Sequence, residues 1–569
     1  MSLDFNYMVG GEAGQGVQSV AFLLGKAMAN GGYHVFSDQD YESRVRGGHN
    51  FFRVRVADSP VTAIREQVDV LVALNADSIR LHLGEVVPRG LVICDSDKIP
   101  DVPEDSRFVA VPLEKLALER GGSAIMTNTV ALGAALALLN YDSGVVAEVL
   151  KKHFGKAEVA DKNIAAANAG YEHVRTLQRT SLAQVKPNLA GKRMMMNGND
   201  ALALGAISAG CKFMAAYPMT PTTSIMEYFA AHAKECGLVM VHAEDEIAAI
   251  HMAIGASYAG VRAMTATSGS GFCLMSEGLG LAGMTETPLV IVEGQRAGPA
   301  IGFPTRTEQG DLLFLLHAHQ GEFPRAILAP TSIEDCFWAM VRAFNIADRY
   351  QMPVFVITDV YLANSFGTVE GFDLSKVAVD RGSTYSESDG DPAAYLRHRL
   401  TESGVSPRAY PGRSKALVVT DSDEHDEGGH LTEDAGVRTA QMDKRLRKLS
   451  AMAGENAEPY TYGPASADVL LIGWGSTYGA LKEAAGLLGA EVNVRVLQLN
   501  QLWPFPSQTV EAEVAHSKSV FVVENNATGQ LARLMRMETG VKPKGNILKY
   551  DGRPFTPSII ADAVRKGVR

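Results

Sequence analysis

Cysteine is scarce in this chain, and it never falls into the patterns through which it does chemistry. The five cysteines, Cys94, Cys211, Cys236, Cys273 and Cys336, lie far apart, and no C-x-x-C pair occurs. That spacing excludes a disulfide framework and a zinc or iron–sulfur site built from this chain alone, so any cluster must come from another polypeptide. A basic surplus is missing too: 53 Lys and Arg stand against 64 Asp and Glu, a net charge of −11. Nucleic-acid binders normally carry a basic stripe, so that class is set aside. There is no long hydrophobic run. The most apolar stretch, "TVALGAALALLNY" at residues 129–141, is too short to cross a bilayer and predicts a core helix. At the start, "MSLDFNYMVGGEAG" passes from a short strand straight into a glycine loop without a basic leader. The expected location is therefore cytoplasmic, with no membrane partner.

What is present describes an ordinary globular protein, 46% apolar over 569 residues. That length exceeds what one core supports and predicts about three domains. Residues 1–185 alternate β-rich runs ("FNYMVGG", "HVFSDQ", "NFFRVRVA", "VDVLVALN", "LVICDSD", "FVAVPL") with helices such as "VQSVAFLLGKAMANGG". Such alternation predicts an open α/β sheet. A Pro-bearing linker, "TLQRTSLAQVKPNLAGKR", follows. Residues 195–371 form a second α/β domain with strands "FMAAYP", "LVMVHA", "AMTATS", "PLVIVEG", "RAILAP" and "PVFVITD". Residues 372–463 read as a long polar connector, functional or disordered, that ends in a basic helix, "MDKRLRKLSAM". A third α/β domain spans 464–569. The fold class is thus α/β, with three open sheets.

Several motifs stand at strand ends. In "GGEAGQG", Gly11, Gly14 and Gly16 sit where backbone N–H groups cradle anions, although a plain strand-to-helix turn accounts for them more cheaply. The spacing is not that of a dinucleotide fingerprint. "YESRVRGGHN" sets Arg44 and Arg46 beside two glycines, which suits a phosphate, a subunit contact or a solvated loop. "AAYPMTPTTS" crowds Thr220, Thr222 and Thr223 after Tyr217 at a strand's carboxyl end, where open α/β sheets bind ligands. Helix capping explains one of these threonines. In "TATSGSGFCLMSEG", Ser268 occupies the place where a hydrolase elbow needs glycine, so the serine-hydrolase reading fails. "VEGQRAGPAIGFPTRTEQGD" offers Arg296 and Arg306 for a bidentate grip on a carboxylate, or for ordinary surface ion pairs. In "HAEDEIAAIHMAIGASYAG", Glu244 and Asp245 complement a helix dipole, whereas Glu246 runs straight into a face of small apolar residues, and the dipole explains it poorly.

Taken together, "YPMTPTTS", "EDEIAAIHMAIGASYAG", "TSGSGFCLM" and "QRAGPAIGFPTRTEQGD" resemble the alpha subunit of 2-oxoacid:ferredoxin oxidoreductases. "GGEAGQG" with "SRVRGGHN" resembles that family's gamma subunit, here fused in front, and "IGWGSTYG", "LNQLWPFP" and "VENNATGQL" resemble its transketolase-C-like domain. The resemblance implies a thiamine diphosphate enzyme. A glutamate on the pyrimidine nitrogen promotes the imino tautomer that activates the cofactor, and Glu246 matches it by position. Ser268 and Gly269 match cofactor-contacting positions. Tyr217, Thr220 and Arg296 match substrate-contacting ones, with Arg306 in reserve for the arginine. Gly11, Gly14, Gly16 and Arg46 are candidates for coenzyme A or another anion.

The family's Gly-Asp-Gly motif for Mg²⁺ and the diphosphate is missing; "SDGDP" lies in the connector without a strand before it. No metal site is expected in this chain. The resemblance therefore implies a beta subunit that carries the diphosphate, Mg²⁺ and a [4Fe-4S] cluster, in a dimer of alpha–beta heterodimers. The implied reaction is oxidative decarboxylation of 2-oxoglutarate with coenzyme A to succinyl-CoA and CO₂, electrons leaving to ferredoxin. Pyruvate and branched-chain 2-oxoacids stay open. So do a flavin- or nucleotide-binding oxidoreductase and a non-catalytic assembly subunit. The segment "DEHDEGGHLTED", with His425 and His430, reads as a mobile loop near a subunit interface rather than a metal site.

Overall fold

The computed structural model describes residues 3–44, 46–99, 105–177, 182, 185–455 and 457–568. It contains three sheets in two compact units. The first unit comprises residues 1–197, 364–371 and 556–558, and the second the remainder.

The first unit is built on an eight-stranded mixed sheet. Its order is Phe108–Val111, Val86–Asp95, Val68–Ala73, Asp4–Ala13, Gly47–Ala57, His34–Asp40, Phe366–Val369 and Met194–Asn197. The first four strands run parallel, and the others join antiparallel. The apolar run expected to be a core helix is one: Thr127–Ala137 is buried from Thr129 onward. It packs on helix Ala157–Thr176 backbone to backbone. A Cβ at Gly133 would strike the Ala167 carbonyl, and one at Gly170 the Val130 carbonyl, so only glycine permits the approach.

The second unit carries the other two sheets. One has seven strands in the order Gln501–Trp503, Ala326–Leu328, Pro353–Asp359, Leu289–Gln295, Ala263–Thr267, Phe213–Ala216 and Val239–His242. All are parallel except the edge strand Gln501–Trp503, which comes from the C-terminal part. The five-stranded sheet runs Tyr460–Tyr462, Val494–Leu499, Ala467–Trp474, Ser517–Glu524 and Gly545–Leu548. Among the described residues no helix is long and apolar enough to cross a membrane.

Three features differ from the sequence reading. Strand Phe366–Val369, assigned above to the second domain, pairs with His34–Asp40 and Met194–Asn197 in the first unit's sheet. Of the linker, residues 178–181, 183 and 184 lie outside the described residues; Val185 and Asn188 bond the Leu139 and Gly31 carbonyls, so this part is docked rather than free. Finally, the connector 372–463 packs around two of its histidines, His398 and His425, whereas His430 is exposed. His425 is buried with its ring 3.9 Å from that of His398. The basic helix, Ala435–Ala453, buries Lys444, Arg445 and Lys448. Their charge is met inside: Lys444 Nζ donates to Glu286 Oε1 at 2.5 Å, Lys448 pairs with the other oxygen, and Arg445 grips Glu424.

Candidate active site

The helix Glu246–Tyr258 begins where strand Val239–His242 ends. Its three leading acids divide their work. Glu244 is exposed, and Asp245 is the N-cap, accepting the Ala248 N–H at 2.7 Å. Glu246 turns inward and is 4% exposed. The neighbouring helix, Gly269–Met284, comes up against this carboxyl because it opens with glycines. A Cβ at Gly271 would sit 2.7 Å from Glu246 Oε1 and would overlap the Thr267 hydroxyl. Gly278 lets the same helix settle on Ile250. Ser268, just before this helix, is fully buried, and its hydroxyl has no hydrogen-bond partner.

The threonine corner follows strand Phe213–Ala216. Thr222 occupies the N-cap position of helix Thr223–Cys236, yet its hydroxyl donates to the Met219 carbonyl at 3.0 Å, so side-chain capping does not explain it. Asn199 pins the corner by donating to the Pro221 carbonyl at 2.7 Å and to Ser224 at 2.8 Å. Arg296, which follows a strand two places away in the sheet, reaches across: it donates to the Thr220 carbonyl at 3.2 Å and to Ser270 Oγ at 3.3 Å. Burial lowers the Arg296 pKa, and nearby Asp311 opposes that shift. Thr220 and Arg296, read from separate motifs, thus share one cluster, joined by Ser270. Tyr217 lies outward, 38% exposed, its ring edge-on to His242. Arg306 is half-buried with its side-chain carbons beside Gly552.

Sequence reasoning passed over the acids beside this cluster. Glu293, on strand Leu289–Gln295, is fully buried, and neither oxygen finds a hydrogen-bond donor. Burial holds its pKa well above the usual carboxylate range, and Asp311 and Asp359 push it further. Asp311 is also raised by burial, and its carboxyl fills the space a Cβ would need at Gly269. Burial and Asp311 together push Glu308 up to about 7. The one available signal was an acid inside the otherwise apolar run "PLVIVEG".

The loop that carries these acids is clamped by the third sheet. Gln309 N–H donates to the Asn525 carbonyl at 2.7 Å, and Asn525 N–H returns a bond to Gln309 Oε1 at 3.0 Å. Gln309 Nε2 reaches the Trp474 carbonyl at 2.9 Å, and Gln530 accepts the Leu313 N–H at 2.9 Å. Asp311 N–H itself donates to Gln295 Oε1 at 3.0 Å. The "VENNATGQL" motif therefore works by fixing the "TEQGD" loop.

In the first unit Gly14 and Gly16 have φ of 97° and 77°, which side chains rarely tolerate. They line a cavity of about 390 Å³ with Gln15, Ser19, Asp95, Lys98 and Asn128. Gly11 lies within the strand, where a Cβ would meet Gln15 and Val17. Arg46 is exposed and outside the cavity's lining; Arg44 pairs with Glu42 at 2.8 Å. Among the described residues no group of three or more His, Cys, Asp and Glu side chains is placed to hold a metal ion.

A buried helix-start carboxyl beside an arginine cluster, at the carboxyl ends of parallel strands, defines a cofactor-using α/β enzyme. Residues 204–444 match a family model described as pyruvate flavodoxin/ferredoxin oxidoreductase, thiamine diphosphate-binding. Residues 6–173 and 467–560 match further pyruvate:ferredoxin oxidoreductase models, the latter for core domain II. A 2-oxoacid:ferredoxin oxidoreductase alpha subunit from a Sulfolobus species is 31% identical, over 99% of this chain and 97% of its own. The 2-oxoglutarate oxidoreductase subunit KorA of Mycobacterium tuberculosis is 30% identical, over 98% of this chain and 90% of its own. Among solved structures, 2-oxoglutarate:ferredoxin oxidoreductase from Magnetococcus marinus, with 2-oxoglutarate, coenzyme A and succinyl-CoA bound, superposes with a TM-score of 0.92. It is 33% identical and covers all of both chains. The chain belongs to the 2-oxoacid:ferredoxin oxidoreductase alpha subunits.

Proposed function

We propose that this chain is the alpha subunit, with a fused gamma-type unit, of an enzyme that converts 2-oxoglutarate and coenzyme A to succinyl-CoA and CO₂ and passes the electrons to ferredoxin. The observation that carries the reading is the inward carboxyl of Glu246, set over Gly271 on the same sheet edge as the Thr220–Arg296–Ser270 cluster. These residues fit the pyrimidine half of thiamine diphosphate: a sheltered carboxyl, held against the side-chain-free Gly271, and the unpartnered hydroxyl of Ser268. When bound, the cofactor supplies a nucleophilic carbon for the keto group. Glu246 exchanges a proton at the pyrimidine ring nitrogen, Arg296 grips the substrate carboxylate, and Thr220 with Tyr217 borders the keto end. Ser268 and Gly269 line the cofactor side, and Arg306 lies on the same loop as Arg296.

A partner completes the enzyme. Ile247 and Leu274, 49% and 51% exposed, lie on the outer faces of the two helices beside Glu246, and His251 reaches Glu277 between those helices at 3.5 Å. An apolar face beside a half-built site suits a beta subunit that brings the diphosphate grip, Mg²⁺ and a [4Fe-4S] cluster, in a dimer of such pairs. The glycine-lined cavity around Gly14 and Gly16 is our candidate for the anionic part of coenzyme A, with exposed Arg46 as a further candidate contact outside its lining. The assignment of 2-oxoglutarate draws on the bound ligands of the Magnetococcus structure.

The test is co-purification with the beta subunit and assay across 2-oxoglutarate, pyruvate and branched-chain 2-oxoacids with coenzyme A. We expect 2-oxoglutarate to give the highest kcat/KM, and Glu246→Gln to cost about 10²–10⁴-fold in turnover. Undiminished turnover in that variant would make the chain a non-catalytic assembly subunit. A flavin absorbance in the purified chain would favour the flavoenzyme reading instead.

A further inference from the structure

Glu293 presents a contradiction that only a proton resolves. It is 0% exposed and neither oxygen meets a donor. An ionised carboxylate in that position would forfeit its hydration with nothing in return, a cost that buried groups avoid by staying neutral. The group that faces it is another acceptor, the carboxyl of Asp311. Two carboxyls settle side by side when one carries a proton and donates it to the other.

Asp311 is held from three sides. Its N–H is bonded to Gln295, its loop is clamped through Gln309 and Gln530, and its carboxyl rests on Gly269, the neighbour of Ser270. Ser270 in turn receives Arg296. The remaining titratable groups nearby are Asp359 on the adjacent strand Pro353–Asp359 and Glu308 on the loop.

We propose that Glu293 and Asp311 share a proton behind Arg296, and that Glu293, as the neutral member, is a positioning residue that keeps a second negative charge away from the carboxylate of the incoming 2-oxoacid. This deepens the functional reading above and rests on it. With the proton in place, a single negative charge faces Arg296. When alkali removes it, two negative charges compete with the substrate for one guanidinium. The consequence is an alkaline rise in KM with kcat unchanged. The chemistry at Glu246 is not involved.

The experiment uses the alpha–beta complex with 2-oxoglutarate, following KM and kcat from about pH 8 to 9.5, above the range in which Glu308, at about 7, loses its own proton. The wild type should show KM climbing at least roughly tenfold, the effect of one added charge about 12 Å away at an effective dielectric near 20, and larger if it lies closer. Glu293→Gln, neutral at every pH and still able to donate to Asp311, should match the wild type at pH 8 and stay flat above it. Glu293→Leu, which gives Asp311 no donor, should raise KM at every pH. A Glu293→Gln profile that follows the wild type overturns the proposal, and so does a loss of kcat with KM unmoved. A second readout needs no turnover: the infrared difference spectrum of wild type minus Glu293→Gln at about pH 8 should show the carbonyl stretch of a protonated carboxyl. Its absence overturns the proposal by itself. If the band is present while the complex turns over no 2-oxoacid, the functional reading fails and the shared proton stands.

Discussion

A methyl group at position 271 has nowhere to go, because the Glu246 carboxyl and the Thr267 hydroxyl already occupy its place. Gly271→Ala should therefore displace the carboxyl, at an overpacking cost of about 1–3 kcal/mol. We expect turnover to fall at least roughly tenfold, since general acid–base catalysis depends on hydrogen-bond reach. Thermal unfolding beside steady-state kinetics checks this: a variant that melts early yet keeps full turnover would show that the contact is structural only. At this scale the sequence was partly legible. Glu246 stood out because helix-dipole logic accounted for its two neighbours and not for it, and Arg296 and Thr220 because each follows a strand. Glu293 and Asp311 did not stand out. An acid near a strand end looks ordinary until the fold shows that no donor reaches it, and that depends on residues from three separate segments.

Elements show where the polar composition misled. The segment 372–463 reads as solvated because charge normally faces water, yet its helix Ala435–Ala453 places two lysines on one buried glutamate of the seven-stranded domain. His398 adds a contact to the same carboxylate at 3.0 Å, and Arg397 donates to the Glu286 carbonyl at 2.8 Å. No local pattern announces this, because Glu286 and Lys448 find each other only through tertiary packing. Removing the anion should strand two buried cations, so Glu286→Gln should lower stability by about 3–5 kcal/mol, read from denaturant midpoints. The two lysines hold the Glu286 carboxyl well below the usual range against the opposing effect of burial. Its contribution is therefore present above the unfolded-state pKa near 4.3 and lost as pH falls through the lower folded-state value. Below that window wild type and variant should converge in stability, and a gap that persists in acid would count against the pairing. By contrast, the strands and the core helix were readable from alternation and apolar runs, because those signals are local.

For the whole molecule, the half-built character of the site predicts dependence on a partner. Alone, the chain should turn over no 2-oxoacid; with the beta subunit it should. Ile247→Glu with Leu274→Glu should abolish co-purification while leaving the chain's own melting temperature within a few degrees, since exposed positions contribute little to folding. Retained binding would move the interface elsewhere. The division of the sequence into successive domains was the least legible feature at this scale, because pairing between distant strands leaves no local mark. Strand Phe366–Val369 sits between His34–Asp40 and Met194–Asn197. During synthesis, the edge offered by residues 34–40 must wait for a segment more than three hundred positions downstream. At ribosomal speeds that is roughly 15–60 s with an open row of amides and carbonyls. A truncated gene product ending at residue 197 inherits that vacancy permanently, so it should aggregate where the full-length polypeptide does not.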